Sequence, residues 1–179
     1  MCAGTSACSA GSGEGTAMGT LSVKSCDREN VAFDLSPDFF AAEKVDGALE
    51  LRVQRGGNLF IYSDGMTIYV HDVAVVRTQH LGQPIQIDPA PGALVQASLY
   101  LNSTCPSNFD ETPVSLPGIA GQITFSAIYD AEHDNDQKRN QATFDIHFVH
   151  QEKDENREAF LSGAFDFEYK KGSPAQRFQ

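Results

Sequence analysis

Tryptophan is absent from the 179 residues, and only 13 lysines and arginines stand against 24 aspartates and glutamates. The formal charge of −11 repels phosphate backbones, which makes nucleic acid a poor partner. It repels anionic membrane surfaces too, so any hold on a bilayer must come from something other than charge. No run of about 18 apolar residues occurs, so no helix is expected to span a membrane, and no apolar signal core is present. Nucleophile motifs are missing as well. No G-x-S-x-G occurs, and "LSGAF" and "YSDGM" put a serine near glycine only on strand ends and turns. "GSGEG" at 11–15 resembles a phosphate loop in composition alone, with no lysine and no helix after it. These absences point away from an enzyme. Without tryptophan, sugar stacking would fall to Tyr62, Tyr69 and Tyr100, which makes carbohydrate a weaker expectation.

What the chain has is a period of two. "ALELRVQ" places Leu49, Leu51 and Val53 inward and Glu50, Arg52 and Gln54 outward. "RGGN" at 55–58 and "SDGM" at 63–66 read as hairpin turns between β-rich runs, which predicts a three-stranded meander over 48–72. Longer alternating runs follow in "ALVQASLYL", "GQITFSAIYD", "ATFDIHFVH" and "FLSGAFDFEYK". They predict a core of Phe125, Phe144, Ile146, Phe148, Phe165 and Phe167, and the acidic "QEKDENRE" joins the last two as a hairpin. Asn102 to Gly118, with three prolines, reads as a long surface loop. Helix is scarce. Ser36 as cap and Pro37 at the first turn predict a helix over 37–44, and Asp72 and Gly82 bracket a second over 72–82. The expected architecture is all-β, an antiparallel β-sandwich or flattened barrel of about eight to ten strands with one or two short helices.

Residues 1–18 have a different character. Gly4, Gly11, Gly13 and Gly15 alternate with small residues, so the segment is expected to be a flexible tether ahead of a single β domain over 19–179. Cys2-Ala3-Gly4-Thr5-Ser6 resembles the mature start of a bacterial lipoprotein, whose first cysteine carries the lipid. That resemblance implies a lipidated Cys2 as membrane anchor. Cys26 and Cys105 both fall at strand ends, where sheet edges bring thiols together. A disulfide there would close a loop of about eighty residues and contribute roughly 4 kcal/mol in the chain-entropy treatment. Cys8 is an alternative partner for either. Disulfides persist outside the cytosol, which fits a cell-envelope location.

The runs "LRVQRGGNLFIYSDGMTIYVHDV", "LYLNSTCP", "GIAGQITFSAIYD" and "LSGAFDFEYKKGSPAQRF" look like secreted lipoproteins of myxobacteria and related delta-proteobacteria. The likeness spans most of residues 18–178 and rests on strand-and-turn patterns. It implies an outer-membrane-anchored, periplasmic or surface location and carries over no catalytic or binding residue.

The sharpest chemical cluster is "DAEHDND". Asp130, Glu132, Asp134 and Asp136 stand two apart, like the first half of a calcium loop. Asn135 replaces the turn glycine and Gln141 stands where the bidentate glutamate belongs, so a calcium site here would be a non-helical one between strands. No other cofactor is expected. Asp145 and His147 share a strand face, and Asp166 and Glu168 on the paired strand would complete a proton-handling or metal patch. His71 and His80 read as loop or helix-end residues, and "NST" at 102–104 matches a glycosylation sequon. The expected function is a non-catalytic envelope domain with a structural or interaction role toward a protein or surface polymer, the alternative being a calcium- or carbohydrate-binding module.

Overall fold

Alternating apolar and polar residues become ten strands in the computed structural model, which describes residues 9–45, 48–56, 63–106, 114–129, 139–152 and 155–169. These are β1 (Ser9–Val23), β2 (Arg28–Asp34), β3 (Phe39–Val45), β4 (Ala48–Arg55), β5 (Asp64–Val70), β6 (Pro84–Gln86), β7 (Val95–Leu101), β8 (Ser115–Ala127), β9 (Arg139–Glu152) and β10 (Glu155–Tyr169). They form one antiparallel sheet in the order β10-β9-β8-β7-β5-β4-β3-β1-β2, with β6 added to β8. The sheet curls as a half-barrel, and its pairing path comes back on itself through β1. β1 lies along β10 from Gly11 to Ser22, while its other edge takes β3 at Ser9–Gly11 and β2 from Met18 onward. The barrel-like alternative in the expected fold is thus the one adopted.

The concave side is filled by one apolar cluster. Phe125, Phe144, Ile146, Phe148, Phe165 and Phe167 are all buried in it, as the alternation predicts. Among the described residues, the longest helical stretch begins at Val73–Val75 and continues as a wider turn over Val76–His80. Asp72 caps it by accepting from the Val75 N–H at 2.9 Å, and Gly82 ends it at φ +72°. Among the described residues, no helix is long and apolar enough to cross a membrane.

The expected tether is corrected from residue 9 onward. Residues 9–18 belong to β1, and the tether's remainder, 1–8, lies outside the described residues. Gly11, Gly13 and Gly15, which suggested a linker, fall at alternate positions of a strand that continues as Ala17, Leu21 and Val23 on the core side. A Cβ on Gly15 would sit 3.1 Å from the Phe40 ring, and one on Gly13 would collide with Phe167. Those two rings stack at 5.4 Å between centroids. Small residues here make room for large ones opposite, and burial of the phenylalanines offsets the glycine backbone entropy.

The helix expected over 37–44 is a strand instead, β3. Phe40, Ala41 and Ala42 are buried in succession, so both strand faces are covered and no alternation marks the run. Ser36 does not cap a helix. Its N–H and hydroxyl both donate to Asp34 Oδ1, at 2.9 and 2.8 Å, in a turn that kinks the chain between β2 and β3.

The three-stranded meander is also corrected, because β4 pairs directly with β5 from Leu49↔Val70 to Arg55↔Asp64. Residues 57–62 lie outside the described residues. Asp64-Gly65, read as a turn, starts β5, and Gly65 serves packing rather than a turn. A Cβ there would strike the Tyr100 hydroxyl, which lies across it. Arg52 and Gln54, expected to face water, are buried on the outer side of β4. The hairpin of β9 and β10 forms as expected but is tighter, since Gln151↔Asn156 and Glu152↔Glu155 are already paired.

Candidate functional site

The outer faces of β1, β10, β9 and β8 are where side chains meet solvent side by side. Register sets Thr16, Ala164, Thr143 and Thr124 in one row across the four strands, and Glu14, Asp166 and Gln141 in the next. The short side chain of Ala164 between bulkier neighbours leaves a trough of about 360 Å³. Glu14, Thr16, Gln141, Thr143 and Asp166 line it. Asp166 is held by Arg139, whose Nε donates to Oδ1 at 2.6 Å while Nη2 donates to Oδ2. Gln141 Nε2 adds a bond to Oδ2 at 3.1 Å. The hydrogen-bonded Arg139 guanidinium holds the Asp166 carboxyl below the usual carboxylate range.

Four residues from Ala164 along β10, about 13 Å at strand rise, the same face turns apolar. Phe160 is 48% exposed and Met18, on β1, 50%. Phe160 stacks on the His147 imidazole at 3.9 Å with an interplanar angle of 12°. His147 Nε2 lies 2.6 Å from Glu158 Oε1, so the carboxylate accepts from the ring and fixes its plane. Sequence reasoning missed this ledge. Its signal is a phenylalanine at an outward position of β10 and a methionine in a strand taken for a linker.

The quartet expected as a metal or proton-handling patch does not assemble. Asp145 pairs in register with Ser162, whereas Asp166 pairs with Gln141 and Glu168 with Arg139. Four residues of strand separate the two halves, and His147 finds Glu158 instead. Tyr100, a candidate sugar platform, is buried, and its hydroxyl donates to Gln54 Oε1 at 2.7 Å. Burial pushes its phenol well above the usual range. Tyr69 is half-buried with its ring edge-on to His71, at 4.7 Å. Asn102 of the sequon is buried too.

A second polar cluster closes one end of the barrel. Asp64, fully buried, accepts from the Ser103 and Thr104 N–H groups at 2.9 and 2.8 Å and from the Thr104 hydroxyl at 2.7 Å. Arg55 Nη2 reaches the same carboxylate at 2.8 Å, and Arg55 Nη1 donates to the Asp34 carbonyl. These bonds set the turn that carries Cys105, which the structure joins to Cys26 with Cα atoms 5.3 Å apart. The expected pairing is the one present. Asp64 is enclosed while Arg55 stays partly open to water, and the cluster ties chain segments together.

Cys2, Cys8, Tyr62, Asp130, Glu132, Asp134 and Asp136 lie outside the described residues. Among the described residues, no three His, Cys, Asp or Glu side chains are grouped to hold a metal ion. Comparison with known proteins finds no matching family model, no matching curated protein and no matching solved structure.

Proposed function

We propose that the chain is a non-catalytic domain of the bacterial cell envelope that works by contact, through the outer face of β1, β10, β9 and β8. The observation that carries this reading is the Met18–Phe160 ledge, two half-exposed apolar side chains set diagonally on neighbouring strands, Met18 opposite Ser162 and Phe160 opposite Thr20. Large apolar groups held open to water near one another mark contact surfaces more often than scattered single ones do. The Cys26–Cys105 disulfide supports a location outside the cytosol. In this reading a lipidated Cys2 supplies the membrane anchor.

The test is photocrosslinking in the envelope of the native host. A photoreactive phenylalanine analogue at position 160 should give a discrete adduct, and one at the exposed Asp88, in the segment between β6 and β7, should not. Equal labelling at both positions, or none at 160, would count against the reading. Replacing Cys2 by serine should move the protein from the membrane to the soluble fraction if the anchor is as proposed.

A further inference from the structure

We propose that the trough receives a lysine or arginine side chain of a partner polypeptide, while an apolar residue four positions along the same extended segment lies on the Met18–Phe160 ledge. This rests on the reading of the outer face as a contact surface and specifies what it contacts. Glu14 and Asp166 stand directly opposite each other across β1 and β10. Like charges so placed are unfavourable in a sheet. Arg139 engages both oxygens of Asp166, whereas among the described residues Glu14 has neither an ion pair nor a hydrogen bond. An incoming cation relieves that opposition, and a neutral polymer does not.

The wider field points the same way. Asp145, Glu158 and Glu168 share this outer face with Glu14 and Asp166, against Arg139 and His147, on a chain of net charge −11. Anionic ligands are turned away and basic ones drawn in. The lining suits an ammonium or guanidinium group, which only donates. Glu14 offers a carboxylate, and Thr16 and Thr143 offer hydroxyl oxygens on either side of Ala164. Met18 stands four residues from Glu14 along β1 and Phe160 four from Ala164 along β10, and an extended chain with residues i and i+4 on one side matches that spacing.

The test uses the full chain, labelled with nitrogen-15, and capped nine-residue peptides of serine and glycine carrying one lysine and, four positions on, one phenylalanine. At low ionic strength the peptide should shift amide signals of Glu14–Met18, Arg139–Thr143 and Phe160–Asp166, and added salt should reverse the shifts. Glu14→Gln should weaken binding about fivefold while leaving the melting temperature equal or slightly higher, since it removes the opposed charge, and Phe160→Ser should weaken binding comparably. A peptide with glutamate in place of lysine should not bind. Equal binding of the glutamate peptide, unaltered affinity in Glu14→Gln, or a neutral hexasaccharide moving these amides when the lysine peptide does not, would each overturn the proposal. If the peptide fails while crosslinking at 160 succeeds, the contact surface stands and its basic occupant falls. If both fail, the surface falls too.

Discussion

The outward residues described on β3, β4, β5 and β7 are buried or half-buried, whereas those of β8, β9, β10 and β1 are largely open to water. On the first set the outward row Phe39, Gln54, Gly65 and Tyr100 closes over itself, because the Tyr100 ring crosses Gly65 to reach Gln54 on the next strand but one. Arg52 beside it is buried as well. On the second set the equivalent positions hold Glu14, Thr16, Thr143, Asp145 and Phe160, open to water or nearly so. One sheet therefore has a half covered on both sides and a half covered on one side and open to water on the other.

The strongest way to break this comparison is to remove part of the open half's wall. Deleting residues 1–17 takes away β1 from Ser9 to Ala17, its register with β10 and its seam with β3. The expected result is loss of a cooperative thermal transition. A truncated protein melting like its parent would show that β1 is dispensable.

A core truncation beneath the open half comes next. Phe165→Ala should cost roughly 3–5 kcal/mol by denaturant unfolding, since the ring is buried between Phe144 and Phe167. The double substitution Cys26→Ser/Cys105→Ser should cost about 4 kcal/mol, with 79 residues of separation released in the unfolded chain.

Outer-face substitutions sharpen the contrast itself. Gln54→Ala removes the acceptor of a buried hydroxyl on the doubly covered half, and about 1–3 kcal/mol should be lost. Thr143→Ala on the open half should change stability by less than about 0.5 kcal/mol. Equal effects in denaturant would erase the distinction.

The smallest effect concerns Glu50, on the covered half. Burial raises its pKa, partly offset by the nearby Arg52 charge and reinforced by Glu43. The folded state thus binds the proton more tightly than the unfolded chain. That contribution is present in acid and is lost as pH rises through the raised value. Glu50→Gln should therefore raise the melting temperature slightly at pH 7, with the gain vanishing below the ordinary glutamate pKa. A gain that persists in acid would mean burial of the charge is not its source.

The same contrast explains what the sequence made legible. Alternation was plain in β8, β9 and β10, where one face is wet, and the six core residues named from it are all buried. It failed in β3, which has no polar face to alternate with, and in β4 the alternation held but did not reveal that the outward Arg52 and Gln54 are covered. In β1 the period was present but carried by glycine and alanine, whose small volume reads as slack until the facing Phe40 and Phe167 are known. The disulfide was readable because both cysteines sit at element ends. Trough and ledge were not, since they depend on which strands neighbour one another and in what register.

β1 has a mechanical consequence. A load directed along the axis of β1 from its first residue shears twelve paired residues against β10 together, rather than peeling them one by one. Three residues past the end of the strand, Cys26 is bonded to Cys105 beyond β7, so tension that slips the ladder meets a covalent stop before it reaches β2. A domain pulled from that end is gripped along its length and tied off behind, the arrangement of a strap rather than a zipper.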